Sequence, residues 1–349
     1  MGERKQWVDP FIAGLVGVLL LGLLIPVPAP ILAALGHVGT WAVALLFFLY
    51  GARLATGEVV AALTHWRLQG AILISTFVVF PLLGVLISRL VAPWIGEGFA
   101  AGILYLSLLP STIQSAVVFV SVARGNVAAA ISGATLSNLL AMLVTPLLVF
   151  WLLADLSYGG GDYGFATGGI AQGAVAYTNL TSASGLSAVG IGRLQSVLLG
   201  LLLPFVLGQL VQPWIGDWVR AHKPLTVGVD RGTILLLVFT AVAASTAAGT
   251  WAGVSAWTLA ILVGIAAVLI AIMLTITWFG GRALGLNIAD RITLLDCGST
   301  KSLATGLPMA SVLLPYTVLG AVAVPLIIFH QLQLITCSVI ARRLARRPD

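Results

Sequence analysis

Charge is what this sequence has least of. Asp, Glu, Lys and Arg together make up 8% of 349 residues, against about 25% in soluble globular chains, and that shortage excludes a soluble globular protein. Cysteine is almost as scarce: the chain has two, Cys297 and Cys337, each inside an apolar run. A disulfide framework and a cysteine zinc site are therefore excluded, and both thiols read as small buried hydrophobes. No polar stretch is long enough for a soluble domain. The basic excess, net charge +6 with 17 Lys and Arg against 11 Asp and Glu, is scattered between apolar runs, which excludes a nucleic-acid partner and assigns the charge to topology.

What the sequence does have is hydrophobicity, 60% of residues with a mean hydropathy of +1.10. Its apolar runs approach the ~20 residues that an α-helix needs to cross a bilayer. An all-α integral membrane protein is expected, with ten spans near 10–30, 36–54, 69–91, 98–121, 126–154, 193–213, 232–250, 257–279, 291–314 and 317–340. The opening apolar stretch is too long for a signal peptide and runs directly into the next span. With a cytoplasmic N-terminus, fourteen of seventeen basic residues, among them Arg53, Arg220, Lys223, Arg231 and the tail Arg342 to Arg347, fall in inside loops. Both termini are then cytoplasmic, as for a multi-pass protein of the plasma (inner) membrane. Trp7, Trp41, Trp66, Trp94, Trp151, Trp214, Trp251, Trp257 and Trp278 lie near span ends, where an indole suits the headgroup zone.

A glycine-rich outer loop at 155–192 divides the spans into two sets of five, 1–154 and 193–349. Five is odd, so the second set enters the membrane from the opposite face, as in inverted-repeat transporters. The fourth span of each set carries a helix breaker beside small hydroxyl residues: Pro110, Ser111, Thr112 and Ser115 in one, Gly298, Ser299, Thr300 and Ser302 in the other. Paired discontinuous helices are expected there, with Gln114 and Asn138 nearby, lining an ion and substrate site. Asp296 and Lys301 lie within the apolar run of the second break, where charge is costly and marks function. His330 is a further proton-carrier candidate, because its ordinary titration lies near neutrality.

At these residues the sequence resembles the bile acid:sodium symporter superfamily, and most nearly its sodium/bile-acid-symporter-like (SBF-like) branch. The stretches "LLPSTIQSAVVFVSVARGNVAAAISGATLSNLLAMLVTPLL" and "DRITLLDCGSTKSLATGLPMA" carry the likeness, which extends over nearly the whole chain. The resemblance implies two inverted five-helix repeats, a panel domain of spans 1, 2, 6 and 7, a core domain of the other six, and crossing broken helices at spans 4 and 9. It also implies movement of organic anions with sodium. Asp296, Thr300 and Ser115 correspond to a sodium site, while Thr300, Lys301 and Ala116 replace the amide residues that sodium-coupled members have there. Lys301 is therefore expected to substitute for one sodium, with Asp296 as its partner or as the ligand of a remaining cation, or to carry a proton itself.

Two other function classes bear on the same sequence. A non-transporting regulator on a transporter fold is compatible with the same sequence. An intramembrane hydrolase is disfavoured, because the serine-glycine run around Ser187 misses the nucleophile-elbow spacing and no base can be assigned. No cofactor other than a coupling Na+ or H+ is expected.

Overall fold

The computed structural model describes residues 10–54, 65–154, 183–249, 251, 254–314 and 316–347. Among them every regular element is helical. The order is α1 (Pro10–Leu24), α2 (Ala29–Arg53), α3 (Trp66–Ile95), α4 (Glu97–Ser107), α5 (Gln114–Val122) and α6 (Val127–Ala154), then α7 (Ala183–Ala221), α8 (Lys223–Ala247), α9 (Ala256–Ala283), α10 (Ile288–Ser299), α11 (Leu303–Leu313) and α12 (Tyr316–Ala345). Seven of these stretches, on α2, α3, α6, α7, α8, α9 and α12, are long and apolar enough to cross a membrane. The chain is a multi-pass membrane protein. Most of the glycine-rich loop lies outside the described residues.

Local sequence accounts for several boundaries. Pro26 and Pro28 end α1 after 15 residues, shorter than expected, and Pro30 starts α2 seven residues before the expected position. Gly96, at φ 81°, reverses the chain between α3 and α4, a conformation that favours glycine. Within α3, Ser75–Val79 is a turn of π-helix, in which the Phe80 amide reaches back to the Ser75 carbonyl. Such a turn holds one residue more than an α-turn and leaves a carbonyl free to bond elsewhere.

Two groups of helices face each other. On one side α1 packs on α8, and α2 lies along α7 and against α8. Gly51 of α2 and Gly208 of α7 touch the opposite backbone so closely that a Cβ on either would overlap the carbonyl of Phe205 or of Phe48. This is the small-residue contact by which membrane helices approach each other without a hydrophobic drive. On the other side α4 packs on α3 and α12, α10 on α9, and α5 on α6. Outward faces carry apolar residues such as Leu82, Leu90 and Leu210, each more than 60% exposed, and this is the surface that lipid covers. Trp41, Trp66, Trp94, Trp151, Trp214 and Trp257 are exposed, whereas Trp251 leans on Phe99 and Trp278 lies beneath the Arg291 guanidinium.

Candidate functional site

The two breaks expected in residues 98–121 and 291–314 are present, and they meet. Between α4 and α5 the chain is non-helical at 108–113, around Pro110. Between α10 and α11 it is non-helical at Thr300, Lys301 and Ser302. The second opening falls later than expected: Gly298 and Ser299 remain helical, with Ser299 Oγ bonded back to the Leu295 carbonyl. Gly298 serves close packing instead, since a Cβ there would lie 2.9 Å from Thr277 Cγ2.

Backbone and side chains join the breaks directly. Ser302 N–H donates to the Pro110 carbonyl at 2.8 Å. Thr300 Oγ1 donates to the Asp296 carbonyl at 2.9 Å, so the hydroxyls of Ser111 and Thr112, 3.4 and 3.3 Å away, have its lone pairs as acceptors. Ser115 Oγ donates to Thr112 Oγ1 at 2.6 Å. Asn138 Nδ2 donates to the Ser111 carbonyl at 2.8 Å, and its Oδ1 accepts from Thr305 Oγ1 at 3.0 Å. Ser302 caps α11 by accepting from Thr305 N–H at 3.2 Å. Exposed backbone groups at the half-helix ends are thus bonded by the opposing break, by α6 and by α11 itself, as apolar surroundings demand.

Lys301 lies at the centre of this crossing and is fully buried. Its ammonium donates to the carbonyls of Thr76 at 2.9 Å, Ser107 at 2.8 Å and Leu109 at 2.6 Å, and stands 4.1 Å from the centre of the Phe80 ring. Thr76 belongs to the π-turn of α3, and Ser107 ends α4, so the charge sits at the negative pole of a half-helix. Its own backbone is clamped by Gln333 of α12: Lys301 N–H donates to Oε1 at 2.8 Å and Nε2 donates to the Lys301 carbonyl at 2.8 Å. Gln333 Nε2 lies 2.9 Å from His330 Nδ1, which leaves that ring nitrogen as an acceptor.

The expected pairing of Asp296 with Lys301 is not formed. Residues five apart on a continuous helix lie about 140° around its axis, and the break adds a change of direction. Asp296 is buried on another face, beside the Cys337 thiol, in a small apolar recess with Phe119, Leu274 and Ile340. Its Oδ2 has no hydrogen-bond partner among the described residues. The structure therefore gathers Thr300, Thr112 and Ser115 but leaves the Asp296 carboxylate apart from them.

Beside the crossing lies a cavity of about 790 Å³ between the two helix groups. Thr112, Gln114, Ser115, Asn138, Ser302 and His330 line it, while Pro110, Ser111, Thr300 and Lys301 lie behind that wall. The opposite wall comes from α1, α2, α7 and α8 and carries residues that the sequence reading did not single out as site residues: Tyr50, Arg53, Arg220, Lys223, Asp230 and Arg231. Arg53 Nη1 pairs with Asp230 Oδ2 at 3.2 Å and sits 4.3 Å over the Tyr50 ring. Arg220 donates to Asp217 at 2.8 Å and to the Arg53 carbonyl at 3.3 Å, and Arg231 lies over Phe11. Apolar side chains, including Leu139, Met142, Phe205 and Ile234, fill the remaining surface. Four cations against one carboxylate, around a chamber lined by both apolar and neutral polar side chains, attract anions. The profile of the SBF-like CPA transporter family matches residues 9–346.

The chain belongs to the SBF-like CPA transporter family. It is 40% identical over 342 residues to the Escherichia coli K12 protein named "Putative symporter YfeH", covering 98% of this chain and 94% of that one. It is 39% identical over 349 residues to the Pseudomonas aeruginosa protein PA2026, covering 100% and 96%. Similarity to the protein named sodium/bile acid cotransporter 7 of Mus musculus is 28% over 303 residues, covering 86% of this chain and 80% of that one. Family membership thus matches the resemblance carried by the two break segments.

Proposed function

We propose that this protein is a secondary active transporter of a small organic anion, working by alternating access in the plasma (inner) membrane with both termini cytoplasmic. The observation that carries this reading is the chamber between the two helix groups, with both helix breaks on one wall and a basic set on the other. Two short helices, α5 and α11, begin on that wall, so their N-terminal ends add a favourable potential for an anion. In this reading α1, α2, α7 and α8 form the panel of two inverted five-helix repeats, 1–154 and 193–349. The remaining helices form the core that rocks against it.

The coupling cation is sodium or a proton. Lys301 supports a chain-borne positive charge at the crossing: its ammonium already satisfies three carbonyls that would otherwise attract a free cation. The hydroxyl group of Thr112, Ser115 and Thr300 is where an additional sodium would find oxygen ligands, and His330 on the chamber wall is placed to exchange a proton. Names of relatives support the same class, since one carries "symporter" and another "sodium/bile acid cotransporter".

Reconstitution tests this. Liposomes containing the protein are expected to accumulate an organic anion, screened among carboxylates, sulfonates and sterol-like anions, under an imposed sodium or proton gradient. Absence of flux with every anion and both gradients would remove the proposal.

A further inference from the structure

We propose that Arg53 is the residue that recognises the anionic group of the transported molecule, and that Asp230 orients its guanidinium while opposing the incoming charge. This rests on the transport reading above. It assigns the ligand's polar end to the α2/α8 wall, not to the helix breaks.

The geometry of one ion pair carries the argument. Arg53 Nη1 engages Asp230 Oδ2 with a single contact at 3.2 Å, not as the two-pronged pair that arginine forms when fully committed to a carboxylate. One of its five N–H groups is used in that contact. The Tyr50 ring, 4.3 Å beneath, fixes the plane of the fork, and the side chain keeps 30% of its exposure on the chamber wall. Arg220 approaches from behind, donating to the Arg53 carbonyl, so the backbone at the end of α2 is held as well. A planar, always-charged, pre-oriented donor set facing an enclosed chamber is the arrangement that binds carboxylate, sulfonate or phosphate.

The rest of the chamber defines the other end of the ligand. Leu139 and Met142 of α6, Phe205 of α7 and Ile234 of α8 offer an apolar lining, and the volume of about 790 Å³ admits a body of several fused rings or a long chain. The ligand class is therefore an amphipathic anion with its charge at one end. Lys223, exposed at the start of α8 and without an ion pair among the described residues, adds an attracting charge on the same wall.

The two partners of the pair are expected to act in opposite directions, which a purely structural ion pair would not do. Binding of naphthalene-2-sulfonate, 2-naphthoate and, as a cationic control, 2-naphthylmethylammonium would be measured by calorimetry on the full chain in lipid nanodiscs. The wild-type protein is expected to bind both anions and not the ammonium. Arg53→Gln should weaken anion binding tenfold or more, Arg53→Lys should fall between it and wild type, and Asp230→Asn should tighten binding several-fold. Thermal unfolding of each variant, with Arg53→Lys as the conservative control, separates loss of fold from loss of binding. Unchanged affinity in Arg53→Gln, or losses of affinity in both Arg53→Gln and Asp230→Asn, would overturn the assignment while leaving transport intact. A wild-type protein that binds no anion in this set, and moves none in liposomes, would remove the transport reading itself.

Discussion

Ser302 N–H and the Pro110 carbonyl, 2.8 Å apart, tie one helix break to the other through the backbone. Proline cannot donate at that point, but its carbonyl is free, and a residue just outside α11 uses it. The crossing is therefore a bonded unit. Thr300→Val keeps the shape of the side chain but removes the hydroxyl acceptor of Ser111 and Thr112, leaving buried donors unpaired. A loss of about 1–3 kcal/mol is expected, read as a fall in the midpoint of thermal unfolding, whereas Thr300→Ser should stay near wild type.

Lys301→Ala removes the ammonium from three buried carbonyls. Destabilisation of about 1–3 kcal/mol is expected for each carbonyl left unsatisfied, offset in part because the desolvated ammonium is removed with it. If the lysine fills the place of a cation, sodium should stabilise the alanine variant in a concentration-dependent way and leave the wild-type midpoint unmoved. Identical sodium responses in the two proteins would argue against that substitution, as would Lys301→Asn with unaltered transport and ion dependence.

Gln333 is the two-handed partner of the Lys301 backbone. Gln333→Leu fills the same space with no polar atom and orphans one amide and one carbonyl, for an expected cost of about 2–4 kcal/mol. Hydrogen exchange at the Lys301 amide should accelerate in this variant before exchange in α9 does.

Gly208→Leu should separate α2 from α7, because no side chain fits against the Phe48 carbonyl. Overpacking of this kind costs about 1–3 kcal/mol or more. Anion binding should fall together with stability, since Arg53 and Phe205 are carried by the two separated helices.

The tail supplies another contact open to test. Arg347 donates to the carbonyls of Ala123 and Arg124 at 2.7 and 2.8 Å, capping the end of α5, where Arg124 turns the chain at φ 56°. Arg347→Ala should cost about 1 kcal/mol and speed proteolysis near residue 124. Arg347→Lys should recover part of the loss.

Much of this architecture was legible because it rests on composition and on breakers. Apolar length marked the seven long membrane-crossing helices, and Pro110 and the Gly-Ser-Thr run placed the two openings to within a few residues. The Asp296–Lys301 spacing misled: proximity in sequence suggested a pair, but helical rotation and the break send the two side chains to different neighbours. Arg53 and Asp230 were missed because they are 177 residues apart and each sits at a span edge, where a charge is ordinary. The role of Gln333 was not legible, because nothing in "FHQLQL" tells which backbone it will meet. The π-turn at 75–79 left no mark in "STFVV", a run of good helix- and strand-compatible residues.

That π-turn makes α3 one residue longer than a plain helix with the same start and end. Seen as an insertion, it is removable: deleting one residue within 75–79 would let the ladder close as ordinary α-helix, with the flanking turns kept in phase and the carbonyls that the π-turn frees taken back into the ladder. The Thr76 carbonyl would then leave the ammonium it serves. A single codon's worth of chain length in one helix thus sets the electrostatic fitting of a lysine 225 residues away.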